Sequence, residues 1–343
     1  MGKMGAKGAL ILGGALLAPA GLFALAVGAV GVSPSEVAWA VWSLLTGAEA
    51  GASSAIVSDI RLPRVVMAAL VGAALALSGA VLQGLFRNPL AEPSLIGASN
   101  GATLGAVLFI VLVEGRVRGA LAPWALKFAL PLTAFAFALA ATRMVMRLAS
   151  RRGKTSIATL LLTGVAMNAW VGALVGLMFY LGTDSQIRAI TFWTLGSLSG
   201  SGWWNVGILA VFMLFPLLYM PKLSRQLNAL LLGEAEAAHL GVNVEKLKTT
   251  AVAAVALAVG AATAFTGLIG FVGLIVPQML RLWLGPDHKT LLPAAALYGA
   301  LFLPLADAAA RTLVAPAELP IGVLTSAIGA PVFLLLLQKS QSA

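Results

Sequence analysis

Cysteine is absent from all 343 residues, which excludes a disulfide framework, a thiolate metal site and a thiol nucleophile. Charge is scarce as well: Asp, Glu, Lys and Arg make up 10% of the chain, where soluble domains carry about 25%. Histidine occurs twice, at His239 and His288, and both fall in segments that read as cytoplasmic loops. No Ser/His/Asp constellation and no metal-ligand cluster accompanies them, so neither a catalytic group nor a cofactor is expected. A nucleotide site is missing too. Gly153-Lys154-Thr155 has the ending of a phosphate-binding loop, but the pattern needs a second glycine where Leu148 stands, and no strand precedes it. Any ATP used must be hydrolysed by a partner.

Apolar sequence fills the space that charge leaves. The chain is 60% hydrophobic with a mean hydropathy of +0.98, which makes it a polytopic membrane protein. Lys3 and Lys7 precede an apolar run from Ala9 to Val32, and Ala18-Pro19-Ala20 has the form of a signal-peptidase site. That run exceeds the ~7 to 15 residues of a signal-peptide core, so it reads as a retained first span. Apolar stretches place ten spans at 8–31, 64–86, 95–113, 123–142, 157–181, 204–220, 249–268, 271–284, 291–310 and 320–338. All of them are expected to be helices, because lipid offers backbone groups no partner. Pro34 to Leu45, in the longest outer loop, reads as a short helix on the membrane surface.

Residues 71–79, VGAALALSG, recur as VGAATAFTG at 259–267, an offset of 188 that also carries Pro89 onto Pro277. Seven of the nineteen positions from 71 to 89 are identical under this offset. Five spans separate the copies, so they would cross the bilayer in opposite directions, the mark of an inverted-repeat transporter. The expected fold class is an all-α membrane protein of ten transmembrane helices with an inverted internal repeat, helices 2–5 against 7–10. It forms one permease domain over 1–343.

With the N-terminus inside, fifteen of the 22 Lys and Arg residues face the cytoplasm. Seven lie outside: Arg61, Arg64, Arg116, Arg118, Lys127, Arg188 and Arg311. The bias predicts N-in and C-in, and it accounts for the net charge of +10 without nucleic acid. Asp307 is the one acid inside a span, about 24 Å along the ninth helix and near its outer end. Arg311 sits four residues on, so an ion pair is expected there rather than a proton relay. Without midplane carboxylates, an ion-coupled secondary transporter is disfavoured, and a channel more so, since no ring of like charges appears. The cytoplasmic loop 222–248 contains a short Ala-rich helical stretch from Gly233 to Val242, bounded by glycines. From composition, it suits a partner contact and a plain solvated loop equally.

Several motifs carry a resemblance. Arg61-Leu62-Pro63-Arg64, Gln83 to Pro93, Leu240-Gly241-Val242, Gly270 to Pro277 and Glu318 to Val323 resemble, in order and spacing, the permease subunit of ABC importers for cobalamin, iron-siderophores and haem. Gln278 departs from the histidine that many relatives carry. The resemblance implies a homodimer with its translocation path at the dimer interface in the bacterial inner membrane, two ATPase subunits below and a periplasmic binding protein above. It implies binding-protein docking at Arg61, Arg64 and Arg311, and a cytoplasmic gate at Asn88, Leu90, Thr155 and Ser156. Coupling to the ATPase falls on Gly233, Glu234, Ala237, His239, Leu240 and Gly241. The stretch from Arg188 to Leu198 is most similar to the haem branch, which implies a substrate path past Arg188 and Trp193. Ferric-siderophore and cobalamin permeases are the alternatives within the family.

Overall fold

The computed structural model describes residues 5–28, 31–47, 52–117, 119 and 122–341. Lys3 and Arg118, both used in the charge bias, lie outside the described residues. The chain is built from helices. In order they are α1 (Ala6–Ala26), α2 (Pro34–Thr46), α3 (Ala52–Ala55), α4 (Leu62–Leu85), α5 (Ala98–Leu108), α6 (Glu114–Val117), α7 (Pro123–Ala149) and α8 (Ile157–Leu181). Then follow α9 (Asp184–Thr194), α10 (Trp203–Tyr219), α11 (Ser224–Leu230), α12 (Glu234–His239), α13 (Val244–Thr266), α14 (Val272–Leu284), α15 (His288–Leu313) and α16 (Ile321–Gln341). Among the described residues, eight helices are long and apolar enough to cross a membrane, and two shorter apolar ones cover Val272–Leu284 and Ile321–Leu335. A π-helical turn, Ile56–Arg61, runs directly into α4, so that span starts earlier than its apolar stretch suggests.

The short helix expected at Pro34 to Leu45 is α2. Ser33 caps it through a reciprocal box with Glu36, Pro34 opens it, and Gly47 closes it in the left-handed conformation (φ 71°). One departure from an all-helical chain lies in the loop after α7. There Ser150–Arg151 (β1) and Lys154–Thr155 (β2) pair antiparallel, with Arg152 and Gly153 at positive φ in the turn. Four residues are too few for a period-two signal, so only the basic turn is visible in sequence.

The two copies of the sequence repeat become the two most buried spans. Among the eight long helices, the apolar 18-residue stretch is 83% buried in Ile56–Leu85 and 72% buried in Val244–Thr266, and no other exceeds 56%. Small residues are the reason: a VGAA face lets backbones approach closely, and van der Waals contact replaces the hydrophobic drive that lipid cannot supply. Helix α4 packs on α13, α14 and α15. A Cβ on Gly79 would overlap the carbonyl of Gly273 in α14, and one on Gly72 would overlap that of Gly299 in α15. Gln83 seals the α4–α14 seam by donating from Nε2 to the Gly273 carbonyl at 3.2 Å.

Candidate functional site

Arg64 comes from the first turn of α4, and Asp307 and Arg311 from the last two turns of α15, helices that pack along their length. Arg64 grips Asp307 with two nitrogens, Nε to Oδ2 and Nη2 to Oδ1, both at 2.9 Å, and donates from Nη1 to both oxygens of Glu318 at 3.0 Å. Arg311 Nε lies 3.1 Å from Asp307 Oδ2, the i,i+4 pair expected from sequence. The remaining donors close the end of α1. Arg61 Nη1 donates to the Leu25 and Ala26 carbonyls at 2.6 and 2.9 Å, and Arg311 Nη2 to that of Ala24 at 2.9 Å. These carbonyls lack helical partners and lie at the negative end of the helix dipole, so the cations stabilise them twice over.

The docking role that the resemblance implies for Arg61, Arg64 and Arg311 calls for accessible charges. The structure instead buries them, with exposures of 5% for Arg61, 8% for Arg64 and 4% for Arg311. Arginines at the start of a helix face the positive end of its dipole, and Asp307 and the α1 carbonyls are the compensation. One opening remains. A cleft of about 160 Å³ is bounded by Arg64, Asp307, Glu318 and Phe192, and the Glu318 side chain is 42% exposed.

A second network lies at the loops read as cytoplasmic. Gly233 adopts φ 126°, a conformation that L side chains rarely enter, and so turns the chain between α11 and α12. Gly241, at φ 84°, ends α12. Ala237 packs inward at 0% exposure, while His239 faces out and Leu232 and Leu240 are 66% and 64% exposed. The outward apolar pair suits a protein contact. Behind it, Lys248 is only 2% exposed, and its Nζ donates to Glu234 Oε2 at 2.8 Å and to the Thr155 carbonyl at 2.7 Å. Thr155 is buried with its hydroxyl 2.8 Å from Ser150 Oγ, and Ser156 caps α8 by accepting from the Thr159 N–H. Asn88 and Leu90 stand apart from this hairpin in the turn after α4, where Asn88 Oδ1 accepts from the Leu90 N–H at 2.9 Å and Leu90 is 42% exposed.

A groove of about 950 Å³ lies between the start of α5, the α9–α10 connection, the α13–α14 connection and α16. Leu75, Leu95, Leu268, Phe271 and Phe333 give it apolar walls, and Leu90 belongs to its lining. Asn100 and Asn168, hydrogen-bonded to each other, and Glu92, bonded to the Ser94 hydroxyl, supply polar points. Arg188 lies exposed on α9, whose last residue, Thr194, lines the groove together with Leu195. Trp193 turns the other way, against the alanine cluster of Ala102, Ala106, Ala134, Ala138 and Ala264.

His288 departs from the sequence reading. It is not a loop residue but the first residue of α15, fully buried, with its N–H and Nδ1 at 2.9 and 2.8 Å from Asn228 Oδ1. Its neighbour Asp287 caps the helix, and the Lys289 N–H, then Asn228, hold its carboxyl below the usual range. The Asn100–Asn168 pair and Lys248 were also missed as functional candidates. Isolated polar residues in apolar runs gave the first a faint signal, whereas Lys248 looked like one more positive-inside charge.

Comparisons with known proteins follow the same lines. Residues 16–339 match the FecCD transport family. The chain is 46% identical over 284 residues to the hemin transport system permease protein HmuU of Yersinia pestis, covering 82% of this chain and 83% of that one. It is 43% identical over 286 residues to the cobalamin import system permease protein BtuC of Halobacterium salinarum, covering 83% and 74%. A solved metal-chelate type ABC transporter in an inward-facing conformation superposes with a TM-score of 0.80 at 33% identity, covering 96% of this chain and 98% of that one. With eight long apolar helices in the same arrangement, the chain belongs to the FecCD transport family, as the multi-pass inner-membrane permease subunit of a type II ABC importer.

Proposed function

We propose that this permease passes haem, as a homodimer of ten-span protomers with both termini in the cytoplasm. The observation that carries the cargo is the groove of about 950 Å³, with apolar walls, few polar points and no histidine in its lining, reached by the last residue of α9, the helix that carries the exposed Arg188. A flat apolar chelate with two propionates suits such walls, with a guanidinium at the mouth to meet a carboxylate. The chelate crosses without protein ligation of its iron. Further support is the 46% identity to a permease named for hemin. Cobalamin is the second reading, because the chain is nearly as similar, at 43%, to a permease named for it.

In this reading Asn88, Leu90, Thr155 and Ser156 close the cytoplasmic end. Helix α12, with Gly233, Glu234, Ala237, His239, Leu240 and Gly241, seats in the ATPase, and the exposed Leu232 and Leu240 support that contact. Docking of the binding protein at Arg61, Arg64 and Arg311 works by exchange. An acidic side chain enters the cleft beside Phe192 and displaces Glu318 from Arg64, while Asp307 keeps its grip.

The decisive experiment is uptake in proteoliposomes carrying permease, ATPase and binding protein. Haem is expected to accumulate only with ATP, and cobalamin and a ferric siderophore not at all. Accumulation of cobalamin instead would move the cargo to the second reading. Uptake by the permease alone on a proton or sodium gradient would falsify the importer mechanism itself.

A further inference from the structure

The ammonium of Lys248 has three donors and three partners. It donates to Glu234 Oε2 at 2.8 Å, to the Thr155 carbonyl at 2.7 Å and to Glu245 Oε1 at 3.2 Å. The other oxygen of Glu245 accepts the Thr155 N–H at 2.8 Å. Both polar groups of the Thr155 peptide unit are therefore held by side chains from the first two turns of α13. Glu234 is the first residue of α12, so one buried nitrogen joins α12, α13 and the β1–β2 hairpin.

We propose that Lys248 is the positioning residue that transmits displacement of α12 to the gate hairpin at Thr155 and Ser156. The inference rests on the reading of α12 as the ATPase contact and of the hairpin as the gate. Its physical basis is that no other hydrogen bond or ion pair among the described residues joins α12 to the hairpin. The burial of the nitrogen matters as well. The Lys248 side chain is 3% exposed, so water cannot readily replace a lost partner, and the linkage resists stretching. The Glu234 and Glu245 side chains, at 39% and 35% exposed, can follow a moving surface.

Two variants test this in the assembled importer. Lys248→Met keeps an unbranched stem and removes all three bonds, while Glu234→Gln weakens only the arm to α12 and leaves the hairpin held by Lys248 and Glu245. Because the chain has no cysteine, a single cysteine at exposed Lys154 can carry a spin label without background. The readouts are ATPase co-purification, haem uptake per ATP hydrolysed, and the ATP-dependent distance change between the two labels of a dimer. Both variants are expected to lose most of the label movement and to lower uptake per ATP about tenfold, within the ~2- to 30-fold that a coupling element carries, and Lys248→Met, altered at a buried residue of α13 outside the ATPase contact, is expected to co-purify with ATPase as the parent does. Parental label movement and parental uptake per ATP in Glu234→Gln would overturn the proposal, even where Lys248→Met fails to insert. Normal ATPase binding after deletion of 233–242 would instead defeat the reading of α12, a separate and distinguishable failure.

Discussion

The chain holds two polar networks at its two ends, and they are built in opposite senses. In the one that the basic-residue bias puts outside, Asp307 is 1% exposed between two arginines that are themselves at 8% and 4%, and its members come from transmembrane helices that pack along their length. In the inner one, a single buried lysine is shared by two carboxylates more than a third exposed, and its members come from a surface helix, a hairpin and a helix start. A fully desolvated ion cluster is costly to disturb, since removing one partner strands a charge in low dielectric. In the second network the lysine is as buried, but its carboxylates keep part of their hydration and can shift with the surface they lie on. The first arrangement fixes helices, and the second lets a displaced surface keep its connection to what lies beneath.

The largest expected effect breaks the outer network at its centre. Asp307→Asn leaves Arg64 and Arg311 buried without their shared carboxylate, and the loss is expected at about 3–5 kcal/mol, read as a collapse of the thermal midpoint in detergent. The matching inner change, Glu245→Gln, is expected to cost only about 0.2–1 kcal/mol, because its carboxylate is partly hydrated. Equal losses at the two sites would erase the contrast. Between these extremes, Leu240→Asp removes an exposed apolar anchor of α12. Weakening of ATPase binding by about 10- to 150-fold is expected from the ~1.5–3 kcal/mol of a buried leucine, with no change in the midpoint. A shifted midpoint would mean that Leu240 packs within the fold. The smallest effect concerns Glu318→Gln, which releases one grip on Arg64 at a partly exposed position. Binding-protein affinity is expected to rise by up to about fivefold, and more at low salt than at high. A drop in affinity would make Glu318 a docking residue rather than the group displaced.

What the sequence could reveal depended on distance along the chain. Asp307 and Arg311 are four apart on one helix, so their pairing follows from helical geometry. Arg64 is separated from Asp307 by 243 residues, and nothing local joins them. The arginines were therefore legible as charged helix-end residues but not as buried ones. The repeat at 71–79 and 259–267 pointed to two equivalent helices, and their burial followed from small residues on every face. Helix α2 was legible from its cap, proline and glycine. Thr155 and Lys248 were not legible as neighbours, because their contact crosses 93 residues and joins a hairpin too short to leave a pattern. His288 misled because the glycine, proline and aspartate before it look like loop, although that aspartate is the cap that starts α15.

The contacts of Gly79 with Gly273 and of Gly72 with Gly299 have a mechanical meaning. Where backbones touch without intervening side chains, neither helix can roll or slip past the other without driving a carbonyl into a Cα, and there are no flexible atoms to absorb the strain. Helices α4, α14 and α15 must therefore travel as one keel, further pinned at one end by Arg64 and Asp307. Changes in the width of the groove fall to lighter parts around that keel: the exposed α8 and α9, the turn at Asn88 to Leu90, and the hairpin that Lys248 holds.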